Sequence, residues 1–153
     1  MAADAKFTVK DAIGKQLIHP ITVSEELQEK FLKKSRKSAI LLIPASLAIF
    51  AVVLTIAILL VVFVKRIVFS FLFLLCLIMP FYAVYNLFAT FGAIKKGDYE
   101  FFEGVVVGKT DSAYKIRGLE EHNIISLFSK RQFNPEEKVI VARLNDELNI
   151  ISE

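Results

Sequence analysis

The chain has 153 residues, 55% of them apolar and 23% charged, with a formal net charge of +3 and a single cysteine. One cysteine excludes an intramolecular disulfide framework and a thiolate metal site. Residues 1–38 carry eight Lys/Arg against five Asp/Glu, whereas residues 97–153 carry seven against eleven. An acidic C-terminal part argues against nucleic-acid binding, which needs clustered Lys/Arg to neutralise phosphates.

Residues 1–37 form an N-terminal segment that we expect to be cytoplasmic and to contain an amphipathic, basic helix. The apolar residues before position 20 have a loosely helical spacing. This stretch is interpreted either as a short amphipathic segment lying on a membrane or as a mobile tail. Ser24 is a suitable N-cap, and the glutamates that follow it favour the positive end of a helix dipole. We expect this second helix to run directly into the apolar block that comes next.

Residues 38–94 consist of two apolar runs, about 39–64 and 67–94, separated only by Lys65 and Arg66. The first run, as a helix, is about 39 Å long at 1.5 Å per residue. A hydrocarbon core is about 30 Å thick, so each run is long enough to cross it with some tilt. The block therefore predicts a two-helix transmembrane hairpin and a multi-pass membrane protein, with a buried soluble hairpin as the alternative.

Basic residues predict the orientation of this hairpin. Seven Lys/Arg flank its outer ends, and two lie in the turn between the runs. The positive-inside rule then places both termini in the cytoplasm. The side chains expected to anchor the hairpin to anionic lipid headgroups are Lys33, Lys34, Arg36, Lys37, Lys65, Arg66, Lys95 and Lys96.

Two helical faces are candidates for helix packing within the bilayer. The first is a stripe of small residues in the first run, and the second is a face of the second run that contains its one side-chain amide. We expect one face to close the hairpin, with Ala51 assigned to that contact, and the other to meet another helix. Pro44 is expected to lie in the opening turn of its span, where a missing N–H costs little. The candidate packing residues are Pro44, Ala48, Ala51, Thr55, Asn86, Ala89 and Ala93.

Residues 97–153 change to a β pattern. Five strands are predicted, over 99–109, 113–117, 123–128, 138–144 and 148–152. Turns are predicted at Asn134-Pro135 and at Asn145-Asp146. Five short strands in so few residues are typical of a small five-stranded β-barrel of the OB or SH3-like type, which we expect to fold alone. The predicted fold class is thus an α+β membrane protein, a transmembrane hairpin followed by this barrel.

The closing segment carries a resemblance to a known family. Val139, Val141, Leu148 and Ile150 alternate around Asn145-Asp146 in a way that resembles the last hairpin of the NfeD-type C-terminal OB domain. That domain follows membrane helices in small proteins partnered with band-7 scaffolds. Glu136-Glu137 stand where that family has a glycine.

A second resemblance is to the β domain that follows the pore helix of small mechanosensitive channels. It involves 104–107 (GVVV), Thr110 and 115–117 (KIR), which come in a similar order. The Gly/Ala-packed pore helix of that family is not found in this sequence, so this resemblance ranks second.

No sequence motif indicates catalysis. The chain has no nucleophile–base pattern, no glycine-rich phosphate loop and no zinc-helix motif. His19 and His122 have no companion at metal-ligand spacing, and the paired glutamates fit solvated turns. We therefore expect that the protein is not an enzyme, has no catalytic residue and binds no cofactor or metal.

Two functional hypotheses follow from this. The first is a non-catalytic, membrane-anchored interaction or assembly module that presents a small β domain at the cytoplasmic face. The alternative is a subunit of an oligomeric channel or transporter. The expected partners are a bilayer with anionic headgroups and either another membrane protein or further copies of this chain, and not nucleic acid.

Overall fold

The computed structural model describes residues 5–64, 70–110, 112–128 and 131–152. The fold is α+β, and the chain divides into two compact units. The first, the β unit, comprises Met1–Phe31 and Ala93–Glu153, and the second, the helical unit, comprises Leu32–Gly92. The predicted turn at Lys65 and Arg66 lies outside the described residues.

In chain order the elements are α1 (Ala5–Gly14), β1 (His19–Pro20), α2 (Glu25–Val64), α3 (Ser70–Lys96), β2 (Tyr99–Lys109), β3 (Tyr114–Ile116), β4 (Ile125–Ser126), β5 (Lys138–Leu144) and β6 (Glu147–Ile150). The strands expected at 99–109 and 138–144 are found over those residues. The other three are shorter than predicted, and β1 was not predicted.

Helix α2 begins where the sequence predicts. The Leu27 N–H donates to Ser24 Oγ at 3.3 Å, and Glu25 and Glu26 occupy the first turn. The helix continues without a break to Val64, so the expectation that Pro44 lies in an opening turn is wrong. Pro44 lies in the helix interior instead, where its ring leaves the carbonyl of Ile40 without an intrahelical donor.

Helix α3 ends in a Schellman motif. Gly97 has a φ of 68°, the Asp98 N–H donates to the Ala93 carbonyl at 2.9 Å, and the Gly97 N–H donates to Ile94 at 3.2 Å. Helices α2 and α3 include segments long and apolar enough to cross a membrane, over Glu25–Leu60 and Leu77–Lys96.

The six strands form a sheet in the order β1-β2-β5-β6-β4, with β3 paired to β2. All pairs are antiparallel except β4 with β6. The sheet is not closed, in contrast to the predicted barrel. Within the described chain, only an isolated bridge between Tyr114 and Ile124 joins the ends of β3 and β4. Two- and three-residue strands are too short to form a longer ladder there.

Strand β1 lies at an edge of the sheet. His19 pairs with Glu103 in β2, and the Ile21 N–H donates to the Phe101 carbonyl at 3.0 Å. The backbone of Pro20, between them, therefore points away from β2, where a missing N–H breaks no hydrogen bond of the ladder. A proline at this position also makes the edge a poor template for a further strand.

The core of the β unit is built from both ends of the chain. Apolar residues of the N-terminal segment, Ala5, Val9, Ala12 and Ile18, are buried in the same cluster as the inward side chains of the sheet. The expected positions of this segment, on a membrane or in a mobile tail, differ from what the structure shows. Its apolar face is covered by the sheet, because residues 97–153 leave part of their own core open.

Gly104 allows close packing in this core, and this packing can be tested by substitution. A Cβ at Gly104 would lie 2.6 Å from Cγ2 of the buried Ile116, whereas one at Gly108 on the same strand would lie 3.8 Å from its nearest neighbour. We expect Gly104→Ala to lower the free energy of unfolding by about 1–3 kcal/mol through overpacking. Gly108→Ala is the matched control and should be near neutral. Pulse proteolysis in urea measures both, and equal stabilities would contradict the close contact.

Candidate functional site

Arg143 on β5 is a buried charged residue of the β unit. Its side chain is only 1% exposed, and its guanidinium donates to Asp98 Oδ1 at 2.7 Å, to Glu100 Oε2 at 3.1 Å and to the Asn145 carbonyl at 2.7 Å. Lys6 of α1 lies 3.3 Å from the same Asp98 oxygen. This Arg143 cluster joins α1, the turn between α3 and β2, and the strands β2 and β5.

The cluster changes the acidity of its members. The hydrogen bond from Arg143 holds the pKa of Asp98 below its usual value of 3.8, against a smaller opposing effect of burial, and Lys6 adds to the lowering. For Arg143, burial acts to lower the pKa, but the hydrogen bonds and charges of Asp98 and Glu100 outweigh it and the pKa is raised. Both groups therefore stay charged over the physiological range.

A second polar contact ties α1 to the segment between β3 and β4. His122 Nε2 lies 3.2 Å from Thr8 Oγ1, and Lys115 Nζ donates to the His122 carbonyl at 3.3 Å. His19 lies on the exposed edge strand. Over the part of the chain that the structure describes, no group of three or more His, Cys, Asp and Glu side chains could hold a metal ion.

The small-residue stripe of α2 lies on the exposed side of the helical unit. Its four members, Pro44, Ala48, Ala51 and Thr55, are all exposed. Among the residues of α2 in this unit whose burial the structure describes, Ala39, Ser46 and Ala57 are buried, and they lie on the opposite face. The assignment of Ala51 to the hairpin contact stays a prediction. Thr55 Oγ1 donates to the Ala51 carbonyl at 2.9 Å.

The predicted packing residues of α3 are partly or fully buried, whereas Tyr82 and Tyr85 on the same face are exposed. Ala93 is buried, and Asn86 and Ala89 are half-buried. Asn86 Oδ1 accepts a hydrogen bond from Thr90 Oγ1 at 3.3 Å, one turn further along the helix, and Thr90 is itself buried. The amide oxygen thus has a partner within its own helix.

The predicted headgroup-anchoring residues that the structure describes are all exposed. They are Lys33, Lys34, Arg36 and Lys37 on α2 and Lys95 and Lys96 at the end of α3. Lys65 and Arg66 lie outside the described residues. Among the six, Arg36 makes an aromatic contact, with its guanidinium carbon 5.9 Å from the ring centre of Phe91.

Comparisons with known proteins give no match, whether the chain is compared with protein families, with curated proteins or with solved structures. The resemblance to NfeD-type OB domains is therefore a proposal that depends only on the residues quoted for it.

The Arg143 cluster was not found from the sequence, although a signal for it is present. Strand alternation places Val139, Val141 and Arg143 on the same face of β5, and Val139 and Val141 are core residues. An arginine on a core-facing position requires buried acidic or carbonyl partners. Those partners come from Asp98 and Glu100, which precede it by more than forty residues.

Proposed function

We propose that this chain is a non-catalytic, membrane-anchored interaction or assembly module that presents its β unit at the cytoplasmic face of a membrane. The observation that carries the proposal is the composition of the β unit. Residues before the apolar helices and residues after them share one hydrophobic core. The apolar helices are thus an insertion in a folded domain, which is the arrangement expected of an anchor.

A shared core supports the expected topology. A folded unit cannot be divided by a bilayer, so segments 5–31 and 93–152 must lie on the same side if α2 and α3 span it. The basic residues at the outer ends of the two helices favour the cytoplasmic side for both. The proposed protein is therefore a multi-pass membrane protein with both termini in the cytoplasm.

The strand pairing supports an OB-type arrangement for the β unit. Strand β2 pairs with β3 through its end and with β5 through the rest of its length, β5 pairs with β6, and β6 runs parallel to β4. With the Tyr114–Ile124 bridge, this connectivity supports a small five-stranded Greek-key barrel to which α1 and β1 are added. On the basis of this connectivity, we propose that the strands of the β unit form a barrel. By analogy with other proteins of this fold, we propose that the barrel binds a protein ligand.

One observation favours the alternative function, a subunit of an oligomeric channel or transporter. The exposed Pro44, Ala48, Ala51 and Thr55 would permit close approach of a further helix. Native mass analysis in gentle detergent distinguishes the two functions. A ring of many identical copies would favour the channel subunit, and a monomer or a complex with another protein would favour the module.

Cysteine labelling tests the topology with one site in each part of the β unit. In a Cys76→Ala background, Lys10→Cys and Glu121→Cys place a thiol at exposed positions on α1 and after β3. We expect membrane-impermeant maleimide to label both only after the cells are opened. Labelling of both in intact cells would reverse the orientation. Labelling of only one in intact cells would show that the two segments do not form a single unit.

A further inference from the structure

One face of α2 presents three exposed cations within two turns. Lys33, Arg36 and Lys37 are spaced i, i+3 and i+4, and all three are exposed. Arg36 lies over the ring of Phe91, with 5.9 Å between the guanidinium carbon and the ring centre. A guanidinium held against an aromatic ring loses less conformational freedom when it binds an anion. We call these three residues the basic face of α2.

The helical unit contains no acidic side chain that could neutralise this basic face. No Asp or Glu occurs anywhere in the sequence between Glu29 and Asp98. The helical unit is therefore purely cationic, and an anion complementary to its basic face must come from outside the unit.

The same side of α2 becomes apolar over the next three turns. Ile40, Leu41 and Leu47 are each about half exposed, at 51%, 55% and 51%. A cationic surface followed directly by an exposed apolar one matches a molecule with an anionic group joined to hydrocarbon. Nucleic acid or free phosphate would use only the first part of such a surface.

We propose that the basic face of α2 binds the phosphodiester of an anionic phospholipid, with Arg36 as the principal contact and the acyl chains along Ile40 and Leu41. Arginine can donate two parallel N–H bonds to a phosphate, and the lysines on either side add positive charge. This proposal depends on the membrane insertion proposed above and adds a lipid-binding site to it.

Native mass spectrometry of the full chain in detergent tests the proposal with phosphatidylglycerol and phosphatidylcholine as probes. We expect phosphatidylglycerol to be retained in preference. Arg36→Gln should reduce its retention roughly five-fold, which corresponds to about 1 kcal/mol for one cation near an anionic surface. Arg36→Lys should retain an intermediate amount, because it keeps the charge but not the paired donors. Lys10→Gln, which removes an exposed cation of α1, is the control and should change nothing.

Three results would overturn the lipid site: equal retention of both lipids, retention in Arg36→Gln equal to the parent, or full displacement of phosphatidylglycerol by millimolar inorganic phosphate. Extraction of membranes with alkaline carbonate distinguishes a failure of the lipid site from a failure of the proposed function. A protein that stays in the membrane but shows no lipid preference contradicts only the site. A protein released by carbonate contradicts the membrane anchor as well.

Discussion

Val9→Asp is expected to unfold the β unit, although Val9 lies far in sequence from strands β2 to β6. Val9 is fully buried in the core that α1 shares with the sheet. A carboxylate at this position would lose its hydration without gaining a cation, which costs several kcal/mol. We expect a loss of about 3–5 kcal/mol, a large fraction of the stability of a small domain. Pulse proteolysis of the full chain in urea measures it.

Lys10→Asp is the matched control for this change. It introduces the same side chain at the next position of α1, where the residue is exposed. It should cost less than about 1 kcal/mol, as surface substitutions do. If Val9→Asp were as stable as Lys10→Asp, α1 would not be a part of the core. The β unit would then be complete without it.

This result bears on the expectation that residues 97–153 fold alone. Burial of Ala5, Ala12, Ile18 and Phe31 in the β unit indicates that the segment needs its N-terminal partner. Phe31 also packs edge-on against Phe101, with 5.7 Å between ring centres. We now expect residues 97–153 by themselves to lack a complete core.

Asp98→Ala is expected to cost more than Arg143→Met, even though the two residues form one ion pair. Removing the carboxylate leaves a guanidinium that is 1% exposed with one fewer acceptor, at a cost of roughly 3 kcal/mol. Removing the guanidinium leaves carboxylates that are partly exposed and can be hydrated, and methionine fills the volume of the arginine stem. The double variant should therefore be more stable than Asp98→Ala alone.

Lys138→Met on the same strand is the control for Arg143→Met. Its ion pair with Glu103, at 2.7 Å, is exposed, and such pairs contribute at most about 1 kcal/mol. Urea unfolding of the four variants gives the comparison. A double variant less stable than Asp98→Ala would show that the ion pair itself, and not the unpaired buried charge, dominates the energy.

The pH dependence of stability follows from the same cluster. The pKa of Asp98 is lowered in the folded state, so its ionised form stabilises the fold at any pH above its usual value of 3.8. This contribution is lost as the pH falls below that value, through the lowered folded-state pKa, because protonation removes the charge that pairs with Arg143. As the pH is lowered through this acidic range, the Asp98→Asn variant should lose less stability than the parent protein.

The sequence by itself determined the elements that depend on local pattern. Two long apolar runs without a charged side chain predict helices, and the structure has α2 and α3 there. The strands at 99–109 and 138–144 were predicted to the residue, because β-branched and aromatic residues alternate between clear turn signals. Ser24 predicted the start of α2 through capping chemistry, which involves only neighbouring residues.

Tertiary structure decided the features that depend on distant residues. The pairing of His19 with Glu103 and the burial of Val9 join segments separated by the whole apolar block, and no local period encodes that contact. The stripe containing Ala51 lies on the exposed face of α2, which a uniformly apolar run does not reveal. Arg143 is buried because Asp98 and Glu100 lie beside it only after the strands have paired.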